Sequence, residues 1–263
     1  MVDDLLRLDG QNAIIGGATG GIGKGIAKKF SEAGADLLLI SRSEEKLKQL
    51  LLELNNSNHR YLVANYEDPY KLEEIVRNEL ESSGKKYSIM VNNTGGPPSG
   101  KVLDANNEDF IKAMNMHLIC NQVMAKLIIP HMIELGDGRI INIISTSVRQ
   151  PIDNLGVSNS TRAAVANWAK TLSNEVGRYG IKVNNILPGA INTQRLEQII
   201  QNKADKLETT YDNVEKQMIG SIPLGRIGDP DEIANGALFL ASQMSNYVSG
   251  INLIIDGGRT RVH

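Results

Sequence analysis

Residues 13 to 30 constrain this chain more than any other stretch. An apolar run, Ala13-Ile14-Ile15, leads into Gly17-Ala18-Thr19-Gly20-Gly21-Ile22-Gly23, which opens onto an amphipathic segment ending at Phe30. This order reads as a strand, a glycine turn and the first turns of a helix. Such a turn brings backbone N–H groups to a phosphate at the positive end of a helix dipole. Glycine is needed wherever a Cβ would block that approach or the required backbone angles. The opening βα unit of a dinucleotide-binding α/β sheet is built this way.

The remaining sequence continues the alternation. Strands are predicted over 13–15, 37–40, 61–64, 88–92, 139–144, 182–187 and 251–255. Apolar residues at helical spacing predict helices over 23–33, 44–55, 69–82, 108–135 and 157–178. Strands alternating with helices specify βαβ units joined by right-handed crossovers, hence a doubly wound parallel sheet with helices on both faces. The near-continuous apolar run Ile140-Ile141-Asn142-Ile143-Ile144 suits a strand buried on both sides.

No linker divides the 263 residues, so residues 1–263 are expected to form one domain. The turn-rich stretch 95–100 follows a strand end and reads as a loop beside the site. Residues 194–222 are polar and weakly patterned, and they follow Pro188-Gly189. An insertion there, outside the carboxyl ends of the strands, is expected to be a substrate lid.

Charge and special residues exclude several classes. The net charge of −2 supplies no basic field for nucleic acid and no polybasic membrane patch. Lys24, Lys28 and Lys29 read as a solvated helix face. Cys120, the sole cysteine, cannot form an internal disulfide and suits burial as a small hydrophobe. His59, His117, His131 and His263 show no metal-ligand spacing, so no metal is expected. The start of the chain is acidic and lacks a secretory pattern, and no apolar run approaches the ~20 residues of a membrane span. A soluble, cytoplasmic protein is expected.

The glycine loop is not that of a nucleoside-triphosphate P-loop, because Gly25 rather than Ser or Thr follows Gly23-Lys24. A dinucleotide site needs a second contact about 20 residues on, at the end of the second strand. Ser41-Arg42 stands there. A carboxylate would grip the adenosine 2′-hydroxyl; a hydroxyl and a fixed cation suit a 2′-phosphate. NADP(H) is therefore preferred, with NAD(H) possible.

With these motifs in place, the chain resembles the short-chain dehydrogenase/reductase family along nearly all its length. Gly17-x-x-x-Gly21-x-Gly23 matches the phosphate loop, with Gly16 where Thr is usual. Asn65 matches an adenine-side position that is usually Asp, and Asn92-Asn93-Thr94-Gly95 resembles the motif after strand four. Asn115 and Ser145 match the helix Asn and the substrate-orienting Ser. Pro188-Gly189-Ala190-Ile191-Asn192-Thr193 matches the segment over the nicotinamide, and residues 247–258 match the last strand. The resemblance implies a single-domain Rossmann fold with a seven-stranded parallel sheet. It also implies cofactor contacts from Gly17, Thr19, Gly21, Ile22, Gly23, Ser41, Arg42, Asn65, Asn93, Gly95, Arg162, Pro188, Gly189, Ile191 and Thr193.

The departure lies at the chemistry. The family places Tyr-x-x-x-Lys thirteen residues after the Ser; here those positions are Ser158 and Arg162, and no Tyr occurs between Tyr87 and Tyr179. An aliphatic hydroxyl is far less acidic than a phenol, and an arginine does not release its proton at working pH. Losing general acid–base help costs on the order of 10²–10⁴ in rate. Asn115, Ser145, Ser158 and Arg162 remain the candidate catalytic residues, with Asn115 holding a relay water, the two serines contacting substrate and Arg162 supplying ribose contact and charge. His117 lies about 200° around a helix from Asn115 and is expected to face elsewhere. Tyr211 could swing in from the lid, and Arg149 could bind an acidic substrate.

The resemblance implies an NADP(H)-dependent oxidoreductase of the carbonyl reductase or alcohol dehydrogenase type, similar to divergent 3-oxoacyl-acyl-carrier-protein reductases. The alternative is an NADP(H)-binding sensor or non-catalytic subunit. The implied partners are a small carbonyl or alcohol substrate and further copies of the chain, in a dimer or tetramer, through a helix face bearing Ala163, Ala164, Trp168 and Leu172.

Overall fold

The computed structural model describes residues 2–55 and 58–262. Seven strands form one parallel sheet: β1 (Asn12–Gly16), β2 (Asp36–Ser41), β3 (Arg60–Val63), β4 (Ile89–Asn92), β5 (Gly138–Ile143), β6 (Ile181–Pro188) and β7 (Asn252–Ile255). Their order is β3-β2-β1-β4-β5-β6-β7. The order reverses between β1 and β4, so the connections leaving these two strands diverge and open a crevice at their carboxyl ends.

The helices are α1 (Val2–Leu5), α2 (Gly21–Glu32), α3 (Glu44–Leu52), α4 (Pro69–Ser83), α5 (Asn107–Met114), α6 (Cys120–Leu135), α7 (Gly156–Val176), α8 (Gln194–Lys206), α9 (Tyr211–Gly220) and α10 (Pro230–Ala241). Alternate strand residues serve opposite layers. Ile15, Leu39, Val91 and Ile141 pack with Ile26, Phe30, Ile233 and Leu240 of α2 and α10. Ile14, Leu38, Met90 and Ile140 pack with Leu72, Met124 and Ile128 of α4 and α6. Both sheet faces are thus covered, which explains the unbroken apolar strands.

One polar row crosses this apolar sheet. Asn92 pairs in register with Asn142, Asn142 with Asn185, and Asn185 with Asn252. Each side-chain amide donates to the next carbonyl oxygen, at 2.8, 2.9 and 2.9 Å. The ladder satisfies polar groups that are otherwise expensive to bury.

All seven predicted strands form, and helix ends follow local capping. Asp68 accepts from the Lys71 amide ahead of Pro69, and Gly84 ends α4 at φ +61°. Helix α3 stops at Leu52, short of the predicted 55, where the Glu53 amide folds back onto the Leu50 and Leu51 carbonyls. Helix α10 was not marked by apolar spacing. Its sequence signal is the capping box Asp229-Pro230-Asp231-Glu232, in which the Glu232 carboxylate accepts the Asp229 amide at 2.8 Å. Residues 194–222 form an ordered helical pair, capped by Thr193 and Thr210, whose private core contains Ile200, Ala204 and Val214.

Between α5 and α6 lies a π-helical turn, Asn115–Ile119. The continuous helical run Asn107–Leu135 is, by length and composition, long and apolar enough to cross a membrane, contrary to the expectation from apolar run lengths. Its Cys120, Met124, Ile128 and Met132 are instead buried against the sheet.

Candidate active site

The phosphate loop joins β1 to α2 through two left-handed glycines, Gly17 at φ +56° and Gly21 at φ +45°. A Cβ on Gly23 would lie 2.1 Å from the Gly17 carbonyl oxygen, and one on Gly21 would lie 2.7 Å from the Thr193 methyl. Only glycine lets the turn close this tightly. Gly20 caps α2 without a side-chain hydrogen bond, so the first-turn N–H groups stay available at the cleft. Asn93 ties the loop to the end of β4, its amide donating to the Gly16 and Gly17 carbonyls at 3.1 and 3.3 Å.

At the far end of this wall, Thr19 and Ser41 share a 2.6 Å hydroxyl contact. The Arg42 side chain is 71% exposed and stands 3.9 Å from the Glu67 carboxylate, free to turn toward an anion. Asn65 accepts the Glu67 amide through its carbonyl oxygen, which leaves its two amide donors for a ligand.

The opposite wall carries the candidate catalytic residues. Ser145 follows β5 and accepts the Ser147 amide at 3.1 Å, so its own hydroxyl proton can be donated elsewhere. Ser158 and Arg162 are one turn apart on α7 and share a face. Arg162 is 8% exposed and donates to the Ile143 carbonyl at 2.8 Å, yet its Nε has no partner among the described residues. Burial, and secondarily the charge of Arg195, push the Arg162 guanidinium down to about 10. Asn159, next to Ser158, donates to the Ile152 carbonyl at 2.9 Å and fixes the loop before α7.

These walls enclose a cleft of about 650 Å³. Ser145, Ser158 and Arg162 line it, as do Gly17, Thr19, Gly21, Ile22, Ser41, Arg42, Asn65, Asn93, Gly95, Pro188, Gly189, Ile191 and Thr193. Gly23 does not line it; its role is to let the loop close. Asn115 is also absent from the lining. It begins the π turn, where its carbonyl accepts the Cys120 amide, and Met116 faces the cleft instead. The π turn changes the rotation per residue, so spacing along an ideal helix misplaces this segment.

Three alternative donors or anion contacts lie elsewhere. His117 is buried and does not line the cleft; burial, then the nearby Arg162 charge, hold its pKa well below the usual imidazole value. Tyr211 packs on the private core of α8 and α9. Arg149 is exposed and lines neither this cleft nor its neighbour. Two cleft residues escaped the motif pattern. Tyr66 buries its ring beneath the loop, and a Cβ on Gly16 would lie 2.5 Å from its hydroxyl. Arg195 of α8 donates to the Pro97 carbonyl across the cleft.

Comparison with known proteins agrees with the fold. The family model described as Enoyl-(Acyl carrier protein) reductase matches residues 17–260. The oxidoreductase UcpA of Escherichia coli (strain K12) is 35% identical over 259 residues, covering 97% of this chain and 96% of that protein. The L-sorbose reductase of Gluconobacter frateurii, solved with NADPH and L-sorbose, superposes with a TM-score of 0.90 at 26% identity, over 98% of this chain and 100% of that one. A 7α-hydroxysteroid dehydrogenase solved with NADH and 7-oxo glycochenodeoxycholic acid gives 0.87 at 31% identity, over 97% and 96% of the two chains.

Proposed function

Because the chain belongs to the short-chain dehydrogenase/reductase family, we propose that it is an NADP(H)-dependent oxidoreductase acting on a carbonyl or secondary alcohol, with an atypical proton path. One observation carries the reading: the glycine loop, Arg42, Ser145, Ser158 and Arg162 all line one cleft. The residues fit the cofactor, since the loop is a cradle that Cβ atoms would fill and the α2 amides are uncapped. Gly17 to Gly23 would hold the pyrophosphate, Arg42 the 2′-phosphate, Asn65 the adenine, and Arg162 with Pro188 to Thr193 the nicotinamide half. When bound, the cofactor supplies or accepts a hydride.

The chain's own residues do the rest. Ser145 donates its hydroxyl to the substrate oxygen, and Ser158 offers a second hydroxyl on the same side. Arg162 places a fixed positive charge where oxyanion character develops. Tyr66 is the one Tyr, His, Cys, Asp or Glu in the cleft lining, and its phenol is raised by burial at the loop, away from this work. The proton therefore travels through water or the serine hydroxyls. Relaying it without a matched acid limits the rate.

That same lack of a titratable donor favours a second reading, a cofactor-binding protein with little turnover. One assay divides the two. NADPH oxidation is followed with 3-oxoacyl, diketone, quinone and sugar carbonyls, alongside NADPH binding. Turnover lost in Ser145→Ala supports the enzyme; binding with no turnover above that variant removes it. A soluble cytoplasmic homo-oligomer, with α8 and α9 as a lid, completes the proposal. Ala163, Ala164, Trp168 and Leu172 of α7 keep partial exposure in the single chain and would form the contact between copies.

A further inference from the structure

The cleft opens into a second chamber of about 640 Å³, and the two share Thr146, Ile152, Leu155, Ile199, Met218 and Arg259. Thr146, next to Ser145, and Leu155, one residue before the helix that carries Ser158, line both cavities, so the chamber adjoins the candidate catalytic wall. Its charge is one-sided. Lys203, Lys206 and Arg259 line it against the single carboxylate of Asp153, and Arg195 lines the adjoining cleft. The chain as a whole carries a net charge of −2, so this concentration of cations is local.

Helix α8 produces the asymmetry. Arg195, Gln198, Ile199, Asn202, Lys203 and Lys206 all face the two cavities, at the spacing of one helical face. The acidic residues of the helix, Glu197 and Asp205, are not in either lining; Asp205 accepts from Gln201 at 2.7 Å. Among the described residues, Arg195, Lys203, Lys206 and Arg259 make no ion pair. The nearest acid to Arg259 in sequence, Asp256, spends its carboxylate on the Gly258 and Thr260 amides at 2.9 and 2.7 Å.

Arg195 and, on the opposite wall of the cleft, Arg162 are partly or wholly withdrawn from water. Burial lowers the Arg195 guanidinium, and Arg162 is nine-tenths buried with an unpartnered Nε. A desolvated charge without a counter-charge is costly, and a ligand anion relieves that cost. The cofactor does not account for all of them. The pyrophosphate has the α2 amides and the 2′-phosphate has Arg42, which leaves Arg195, Lys203, Lys206 and Arg259 facing the substrate side.

We propose that the substrate is a small carbonyl or hydroxy compound bearing an anionic group, a carboxylate or a phosphate, held by Arg195 with Lys203, Lys206 and Arg259 at the chamber mouth. Arg195 sets the position of the anion because its guanidinium is already anchored to the Pro97 carbonyl. Lys203 and Lys206 are exposed and mainly draw the anion in. This proposal rests on the oxidoreductase reading for the word substrate, but anion binding itself does not.

The test has a binding arm and a turnover arm. Malonate and inorganic phosphate are titrated calorimetrically into the protein saturated with NADP⁺, which keeps phosphate out of the cofactor's own sites. Saturable binding of either is expected, weakened at least tenfold by Arg195→Gln and about two- to threefold by Lys203→Gln/Lys206→Gln. Preference for malonate or for phosphate identifies the anion. Lys71→Gln, on α4 and paired with Glu74, is the surface-charge control and leaves binding unchanged. In the second arm, 2-oxo and 3-oxo acids are compared with their methyl esters as oxidants of NADPH. Acids favoured tenfold or more in kcat/KM, through KM, support the proposal. Esters turned over as well as acids overturn it while the oxidoreductase reading stands. Anion binding lost in Arg195→Gln with no turnover of any carbonyl supports the anion site and removes the oxidoreductase reading. No binding of either anion, with NADP⁺ bound, overturns the proposal.

Discussion

Replacing Asn142 with Leu tests whether the asparagine ladder is a structural element or an incidental row. Asn142 is fully buried, accepts from Asn92 at 2.8 Å and donates to Asn185 at 2.9 Å. Leu has the same number of side-chain heavy atoms branched at the same carbon, with bulkier methyl ends, so no cavity forms. It leaves the Asn92 amide and the Asn185 carbonyl oxygen without partners, and those residues are 4% and 3% exposed. Each orphaned buried group costs about 1–3 kcal/mol. Burying an added apolar side chain returns about 1.5 kcal/mol, so the net loss is on the order of 0.5–4.5 kcal/mol. Asn252, at the other end of the ladder, is exposed. Water replaces its oxygen as the partner of Asn185, and Asn252→Ala costs under ~1 kcal/mol. Urea unfolding followed by the fluorescence of Trp168 gives both values, with the slope checked for constancy. Equal losses in the two variants, or an Asn142→Leu protein as stable as the parent, would refute the ladder argument.

Gly16→Ala places a Cβ 2.5 Å from the Tyr66 hydroxyl and 2.8 Å from the Asn93 carbonyl oxygen, so about 1–3 kcal/mol of stability and part of the NADPH affinity are lost. Adding Tyr66→Phe recovers some of both but not all, because the backbone contact remains; a thermal-melt and binding cycle with no coupling sinks the explanation. Arg42→Ala raises the Kd for NADPH about tenfold or more and changes that for NADH less than twofold, read by nicotinamide fluorescence. His117 titrates well below 6.5 in the folded chain because it is buried beside Arg162, so below pH 6.5 the unfolded chain binds the proton first. Stability is intact above that pH and falls beneath it at up to about 1.4 kcal/mol per pH unit. Urea midpoints at pH 7.5, 6.5 and 5.5 read the slope, and His117→Gln flattens it; an unchanged slope in that variant assigns acid sensitivity to other groups.

The fold was legible because each strand and most helices carry their own periodic signal, and glycine positions mark where the chain must turn at the cleft. Gly17, Gly21 and Gly23 have backbone reasons that survive translation into coordinates. Helix α10 was harder to see because its buried residues, Ile233, Ala234, Ala237, Leu240 and Ala241, form a stripe rich in alanine that the adjacent Leu238 and Phe239 blur. The cap at Asp229 and Glu232 was the stronger sign. His117 lies outside the cleft lining, as helical rotation had it, whereas Asn115 could not be placed that way, since a π turn begins at it between α5 and α6. Arg195 and Tyr66 carry no motif. Their importance comes from tertiary placement, one across the cleft from Pro97 and the other beneath Gly16. Side chains that act through space leave little trace in local spacing.

The departures from the family pattern are paired in space, and that bears on whether the site is maintained or decayed. Gly16 lacks the usual side chain, and the Tyr66 hydroxyl lies where that side chain would point. Arg162, at the position that motif spacing assigns to the family's lysine, donates to the Ile143 carbonyl at 2.8 Å. Ser158, one turn before it on α7, lines the same cleft. Random loss would leave a cavity or an unpaired group at each position independently. Of the buried side-chain atoms without a partner among the described residues, the Arg162 Nε is the one whose residue lines the cleft. A donor that is buried, charged and unpaired is retained at a cost unless a ligand accepts from it. A ligand bound in the cleft, the cofactor or an anion, therefore explains this wall better than disuse does.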